Sequence, residues 1–294
     1  MIFSLLLLSS CAPQSSLTQI NLKNSFVING TEVKEADQVA SSIVGIYNIK
    51  DNSICTGSLI AANIVLTAAH CAPEKASQLK IIFTNDIDNT MNSREPDILQ
   101  EFVLAATDFK VGPTWNPKND TIETNTGDIA LIKFKGNIPK GYKPAAFLAE
   151  ESLIRTGGLV TVAGFGVNNV STQKIDPKKY QNLDEAIKYG EVICDDDTNG
   201  VKNNCFKIET SGDGILRVTE TPISSIDKTE IRLDERKSGT CSGDSGGPAY
   251  IRKNGELYLF GVTSRGSALC NEVGVYTNAL HYRPWIAEAI KILK

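Results

Sequence analysis

The amino-acid sequence predicts an all-β protein. Its apolar residues fall into short runs rich in β-branched side chains, and Gly, Pro, Asn and Asp separate these runs, which is the pattern of short strands joined by turns. Many short strands favour barrels or a sandwich, whereas an α/β fold would alternate strands with helical stretches of about ten or more residues. With 294 residues, 41% of them hydrophobic, the chain is long enough to bury a sizeable core.

Two segments have helical character, residues 180–193 and the C-terminal segment. In the C-terminal segment, Trp285, Ala289 and Leu293 recur at the spacing of one helix face. A hydrophilic stretch from about residue 168 to residue 213 interrupts the strand pattern, and we interpret it as an inserted surface loop.

The N-terminus has an apolar run over residues 2–8, which is too short to span a bilayer. We interpret residues 1–10 as an export signal peptide. The four residues ending in Cys11 resemble a bacterial lipobox, which implies cleavage before that cysteine and its lipidation. Residues 11–26 then form a lipidated propeptide or linker, and the folded part begins at Val27. The alternative is a frayed apolar N-terminus of a cytosolic chain. It is favoured by the absence of Lys or Arg before the apolar run, since a signal peptide normally has a basic residue there.

Cysteine use favours disulfides. If Cys11 is lipidated, six of the seven cysteines remain, and an even number in an exported chain indicates bridges more often than metal ligands. Sequence alone leaves every pairing open. The spacing suggests the pairs Cys55 with Cys71, Cys194 with Cys205, and Cys241 with Cys270.

Metals, cofactors and nucleic acids are not expected as partners. The formal net charge is −4, and Lys and Arg are nowhere concentrated enough to follow a phosphate backbone. The chain has two histidines and no C-x-x-C pair, which argues against structural zinc. The oxygen-rich residues 85–92 lack the glycine and terminal glutamate of an EF-hand loop.

The chemistry of the chain is concentrated in "SGTCSGDSGGPAYI", residues 238–251. Its G-x-S-x-G sequence around Ser245 fits the strand-to-helix nucleophile elbow of an α/β-hydrolase, and hence a lipoprotein esterase. With Cys241 before it and Pro248 after it, the stretch resembles the nucleophile loop of the chymotrypsin-like serine proteases. Serine attack on an acyl carbon also needs a base, a group that orients the base, and donors for the oxyanion.

The base and the orienting acid have candidates upstream. His70 in "VLTAAHCA" resembles the histidine signature of the same proteases, and Asp128 in "NTGDIALIKF" resembles their aspartate segment. The order His70, Asp128, Ser245 is that of chymotrypsin, whereas α/β-hydrolases place the serine first. A hydrolase would have to use Glu272 and His281, which leaves no room for the strands and helices between the partners.

The chain is thus identified as a member of the trypsin/chymotrypsin-like (family S1) serine endopeptidases. The resemblance runs from Val27 almost to Lys294 and leaves out the insertion. The resemblance implies two packed six-stranded antiparallel Greek-key β-barrels followed by a C-terminal helix. It also implies a monomer that hydrolyses proteins or peptides. The implied bounds are 27–294 for the peptidase domain, about 27–146 and 156–280 for the barrels, and about 282–293 for the helix.

The resemblance also implies a role for each site residue. His70 acts as general base and then as general acid, Asp128 orients it, and Ser245 is the nucleophile. The backbone amides of Gly243 and Ser245 form the oxyanion hole. Ser264 in "GVTSRG" supports the aspartate.

The segment "VING" that begins at Val27 implies activation by cleavage. In the family, the new ammonium group is buried against the aspartate beside the nucleophile, here Asp244, and a buried carboxylate without a partner is costly. We therefore predict a zymogen cut after Phe26 by another protease or by itself. Because the segment after Cys11 has no further cysteine before the cut, the lipid would tether only the precursor, and the active domain would be released.

The resemblance places Gly239, Gly266 and Gly274 at the walls of the specificity pocket. Their lack of side chains predicts an open, uncharged pocket for an apolar or aromatic residue rather than Arg or Lys. Glu272 lies close enough in sequence to the pocket mouth to favour a basic residue instead. Arg265 stands where the family usually has tryptophan.

A catalytically silent protease-like binding module is the alternative from another functional class. The complete triad and both glycines of the oxyanion loop argue against it.

Overall fold

The computed structural model describes residues 28, 30–34, 37–116, 124–188, 190–196 and 200–293. The predicted signal peptide, the predicted lipidation site Cys11 and the predicted new N-terminus Val27 lie outside the described residues. The chain divides into two compact units, one containing residues 171–209 and the other containing the remaining described residues.

The first half of the larger unit is a closed antiparallel barrel in the strand order β2-β3-β4-β7-β6-β5. Strand β4 has the burial of a central strand, since all four of its residues are buried, from Ile64 to Thr67. The barrel is filled by aliphatic and aromatic side chains that include Leu59, Ile81 and Phe134. Its strands are β2 (Ile43–Asn48), β3 (Ser53–Ala61), β4 (Ile64–Thr67), β5 (Leu79–Ile82), β6 (Val103–Val111) and β7 (Ala130–Phe134).

The second half is also a closed six-stranded barrel. Its order is β12-β13-β16-β15-β14-β8, and β8 pairs with β12 to close it, while the short strand β1 (Thr31–Glu32) adds to β12 from outside. Its interior includes Val162, Phe260 and Tyr276. The strands are β8 (Leu159–Gly164), β12 (Arg217–Ile226), β13 (Glu230–Asp234), β14 (Pro248–Lys253), β15 (Glu256–Gly266) and β16 (Val273–Asn278).

One hydrophobic cluster joins the two barrels. It contains Leu66 and Leu131 from the first barrel and Ala163 and Tyr250 from the second. The predicted class, two packed six-stranded barrels with a C-terminal helix, is confirmed. The helix, α4, spans Arg283–Leu293 and buries Ile286, Ala289 and Leu293, whereas Trp285, which the sequence pattern also assigns to this face, is partly buried.

The insertion is not the surface loop that the sequence suggests. It contains a three-stranded sheet in the order β10-β11-β9 and one helix, and a small core around Ala186 and Val192. The predicted helix over 180–193 is shorter, because Gly190 turns the chain at a φ of 71° and a strand follows. The elements are β9 (Asn169–Ile175), α3 (Leu183–Lys188), β10 (Val192–Asp196) and β11 (Lys202–Ser211).

Two helices in the first barrel are absent from the sequence prediction, α1 (Ile87–Met91) and α2 (Pro96–Phe102). The oxygen-rich stretch forms α1, and the carboxylate of Asp86 caps it by accepting a hydrogen bond from the amide of Asn89 at 2.9 Å. No helix among the described residues is long and apolar enough to cross a membrane.

Candidate active site

His70 and Asp128 meet at the junction of the barrels. The buried strand β4 runs into a 3-10 turn, Ala69–Cys71, which presents His70 with its side chain 31% exposed. Its Nδ1 lies 2.8 Å from Oδ2 of Asp128, and its backbone amide donates to Oδ1 at 3.0 Å. A proton held on Nδ1 by the carboxylate leaves Nε2 as the acceptor that faces away from Asp128.

Asp128 lies just before β7 and is 1% exposed. Ser264 donates to its Oδ2 at 2.7 Å, and the hydroxyl of Thr277 donates to its backbone carbonyl at 2.7 Å. Burial alone would raise the pKa of Asp128, but the charge of His70 and the hydrogen bonds from His70 and Ser264 outweigh it and hold the pKa below its usual value. The carboxylate is therefore ionised at neutral pH.

Ser245 lies in the loop before β14, which both barrels hold in place. The amide of Thr56 donates to the carbonyl of Ser245 at 2.8 Å, and Sγ of Cys71 lies 3.6 Å from the same oxygen. On the other side, the amide of Gly246 donates to the carbonyl of Thr263 at 2.8 Å. Ser245 is therefore fixed between the neighbour of His70 and the neighbour of Ser264. Because β14 follows it, Ser245 does not lie on the strand-to-helix elbow of an α/β-hydrolase.

The loop also presents two free amide groups. Neither Gly243 nor Ser245 donates its N–H to another described residue. The carbonyl of Gly243 is turned the other way and accepts from Oγ1 of Thr56 at 2.9 Å. Gly243 has a φ of 96°, and a Cβ there would lie 2.9 Å from Cα of Gly166, so the position requires glycine.

The carboxylate of Asp244 is fully buried beneath this loop. It accepts hydrogen bonds from the amides of Gly166 at 2.8 Å and Cys241 at 2.9 Å. Burial raises the pKa of Asp244 to about 6, although the two amides and the charge of Arg217 oppose the rise. The carbonyl of Ile28 accepts from the amide of Gly239 at 3.1 Å, which places the residue after Val27 beside the pocket wall.

The three pocket glycines converge, but the space between them is neither open nor uncharged. The side chain of Glu235 occupies it. A Cβ at Gly239 would lie 2.4 Å from Cβ of Glu235, and a Cβ at Gly274 would lie 2.4 Å from Cδ of Glu235. Gly266 pairs with Gly274 across β15 and β16, and its Cβ position is 3.9 Å from Oε2 of Glu235. The open, uncharged pocket that the sequence predicts therefore contains a carboxylate, that of Glu235.

Glu235 is absent from the site residues predicted from the sequence, although the strand periodicity contains the signal. Ile231 and Leu233 in β13 point into the barrel, and Glu235 continues the same alternation just beyond the end of the strand. Glu272, the acid that sequence analysis did consider, is exposed. Its backbone carbonyl accepts from the amide of Glu235 at 3.0 Å.

Arg265 replaces the usual tryptophan and forms a buried ion pair. Its guanidinium donates to both carboxylate oxygens of Glu230, at 2.9 and 3.0 Å, and to the carbonyl of Thr124 at 2.7 Å. It also lies 3.3 Å from Oγ of Ser264. A fixed charged group therefore stands where the family resemblance implies an apolar shelf.

The six cysteines considered above form three disulfides. Near the site, the sulfur atoms of Cys55 and Cys71 lie within 4.8 Å of a nitrogen of His70. These sulfurs are bonded to each other, so neither is a thiolate that could ligate a metal. The bridges are Cys55–Cys71, Cys194–Cys205 and Cys241–Cys270.

The fold and the arrangement of these residues define the class of chymotrypsin-like serine peptidases. The trypsin family pattern matches residues 27–286, and the chain belongs to the trypsin family.

The chain is similar to several curated proteases along most of its length. It is 29% identical over 262 residues to urokinase-type plasminogen activator of Gallus gallus, covering 83% of this chain and 53% of that protein. It is 25% identical over 269 residues to human granzyme H, covering 91% of this chain and 92% of that protein. It is 27% identical over 254 residues to a trypsin of Sarcophaga bullata, covering 85% of this chain and 84% of that protein. The chain thus spans about half of the plasminogen activator and nearly all of granzyme H.

Proposed function

We propose that the chain is an exported serine endopeptidase that hydrolyses peptide bonds through an acyl-enzyme. The hydrogen-bonded series from Ser264 through Asp128 to a partly exposed His70, beside the fixed loop of Ser245, carries this proposal. Its geometry supplies a base with its tautomer set by a buried carboxylate, which is the requirement for activating a serine hydroxyl.

Each step of the proposed reaction has a candidate group. His70 takes the proton of Ser245 as Oγ of Ser245 attacks the scissile carbonyl. His70 then donates this proton to the leaving amine as the peptide bond breaks. The free amides of Gly243 and Ser245 stabilise the oxyanion, and one such donor contributes about 3 kcal/mol in comparable enzymes. Water then attacks the acyl carbon with His70 again as base, the ester bond to Oγ of Ser245 breaks, and His70 returns the proton to Oγ.

Labelling with a fluorophosphonate probe tests this function. The probe is expected to modify the processed chain at Ser245, and the Ser245→Ala variant should not react. A folded wild-type chain that is neither labelled nor able to cleave peptides would instead favour the silent binding module.

We further propose that the protease is made as a lipid-anchored precursor and activated by cleavage before Val27. The buried Asp244 and the position of Ile28 beside Gly239 support activation by cleavage, and the lipobox-like residues ending in Cys11 support the lipid anchor. N-terminal sequencing of active material should begin at Val27, and another start would refute the cleavage site. Detergent phase separation should retain the precursor and release the processed domain. The side chain of Glu235 lies between Gly239 and Gly274 and opposes the apolar specificity expected from Gly239.

A further inference from the structure

Glu235 lies inside the specificity pocket with one carboxylate oxygen held and the other not. Its Oε1 accepts hydrogen bonds from the amide of Thr240 at 3.0 Å and from the hydroxyl of Tyr276 at 2.8 Å. The hydroxyl of Thr240 lies 3.0 Å from the same oxygen. No described residue donates a hydrogen bond to Oε2, and no described Lys or Arg pairs with Glu235.

The glycines of the pocket make room for this carboxylate. Any side chain at Gly239 or Gly274 would collide with Glu235, since both Cβ positions lie 2.4 Å from its atoms. These glycines therefore do not indicate an empty apolar slot. They allow a carboxylate that originates at the end of β13 to reach the space between the pocket walls.

A buried carboxylate with a free oxygen and no counter-charge is costly, and a bound cation would remove that cost. An apolar side chain entering the same pocket would remove water from the carboxylate and offer it no hydrogen bond. Arg or Lys would instead supply donors and the opposite charge. In the uncut chain, the negative charge of Asp244 adds a smaller increase to the pKa of Glu235, which burial mainly raises.

We propose that Glu235 determines substrate specificity and that the pocket accepts Arg or Lys at the residue before the cleaved bond. This inference rests on the proposed endopeptidase function. Glu235 thus performs, from the end of β13, the charge selection that Gly239 cannot provide.

Matched peptide substrates that differ only in Arg, Lys, Phe or Ala at this residue test the proposal. The full chain is first processed before Val27, and the rates of the processed chain are normalised to the fraction of Ser245 labelled by the fluorophosphonate probe. We expect kcat/KM for Arg to exceed that for Phe by about 100-fold, since one buried charge pair has an effect of this order. Glu235→Gln should lower kcat/KM for Arg by a similar factor and change that for Phe by less than about 5-fold. The matched control Glu288→Gln, at an exposed acid of the C-terminal helix, should leave the preference unchanged.

Two measurements do not depend on the folding of the Glu235 variant. Benzamidine, an aromatic amidinium, should bind the full chain carrying Ser245→Ala. In the wild type, the ratio of kcat/KM for Arg to that for Phe should rise as pH passes through about 7, the raised pKa of Glu235. The titratable groups that face Glu235 are Tyr276 and Asp244, and the ratio cancels the titration of His70 because both substrates use it.

The outcomes distinguish the role of Glu235 in specificity from the proposed endopeptidase function. A labelled, active enzyme that prefers Phe or Ala, or whose Arg preference survives Glu235→Gln, refutes the role of Glu235 and leaves the protease function standing. A folded chain without labelling refutes both.

Discussion

Asp128 illustrates how a buried side chain is kept charged. Burial favours the neutral acid, but two contacts from His70 and one from Ser264 favour the carboxylate and lower its pKa. The same contacts fix the imidazole. The charge of Asp128 and the orientation of His70 are therefore a single structural feature, which a substitution at either residue would disturb.

The substitution Asp128→Asn tests this coupling. The amide has nearly the shape of the carboxylate but can present a donor to Nδ1, so the histidine is held in the wrong tautomer. We expect kcat to fall by about 10⁴-fold with little change in KM. Ser264→Ala removes one neutral donor and should cost only about 10-fold. Steady-state kinetics on both variants should show this ranking, and an equal loss in the two would contradict it.

Gly243→Ala tests the oxyanion loop. The new Cβ would combine an unfavourable φ of 96° with a contact of 2.9 Å to the backbone of Gly166. The loop must shift and misplace its amide, so kcat should fall by about 100-fold or more. Circular dichroism should show the barrels intact, because the change lies outside both interiors. Gly255→Ala, at a turn glycine with a φ of 86° and open space around it, is the control for backbone strain alone.

At the scale of elements, the disulfides act locally. Cys194 and Cys205 join β10 to β11 across a sequence separation of 11 within the small unit. The core of that unit is small, with Ala186, Val192 and Cys205 as its buried residues. The bridge is therefore a major part of what orders the unit.

Replacing both Cys194 and Cys205 with serine should loosen this unit. A loop of this length is stabilised by about 3 kcal/mol when it is closed. We expect faster hydrogen exchange at the amides of β10 and β11 and faster proteolysis within 171–209, while the exchange of β4 and β7 stays unchanged. Unaltered exchange in β10 and β11 would contradict a structural role for the bridge.

The sequence identified those features whose residues are contiguous. His70 and Ser245 each lie in a run whose neighbours share their chemical task, and the alternating runs mark the barrel strands. It failed at Glu235, because the pocket forms only when the end of β13 meets β15 and β16 in the closed barrel. It also failed in the insertion. The sheet there buries few residues, so its strands lack the apolar alternation that would predict them from a hydrophilic sequence.

At the scale of the whole molecule, two buried acids oppose stability near neutral pH. Burial raises the pKa of Asp244 from 3.8 to about 6 and that of Glu235 from 4.5 to about 7. An acid whose pKa is raised by folding costs no stability at a pH where it is protonated in both the folded and the unfolded chain. It destabilises the fold as the pH rises from its pKa in the unfolded chain to its pKa in the folded chain. Each acid therefore lowers the free energy of unfolding by a few kcal/mol once it is ionised, since a pKa difference of one corresponds to about 1.4 kcal/mol.

The free energy of unfolding of the uncut chain should therefore decline between about pH 4 and pH 7. Urea titrations across this range measure the slope. Asp244→Asn should flatten the slope between about pH 4 and pH 6, and Glu235→Gln should flatten it up to about pH 7. Variants that keep the wild-type slope would show that these acids do not titrate in the folded chain as their burial indicates.

Cleavage before Val27 should reverse the contribution of Asp244. The new ammonium group, if it reaches Asp244 as proposed, pairs with the carboxylate and lowers its pKa, so the ionised form no longer opposes folding. The processed chain should then be more stable than the uncut chain at pH 7, and this gain should shrink as pH falls and Asp244 becomes protonated. Comparing urea midpoints of the two forms at pH 7 and pH 4 measures the gain. In Asp244→Asn the two forms should unfold alike at both pH values, whereas a gain that persists in the variant would place the ammonium elsewhere.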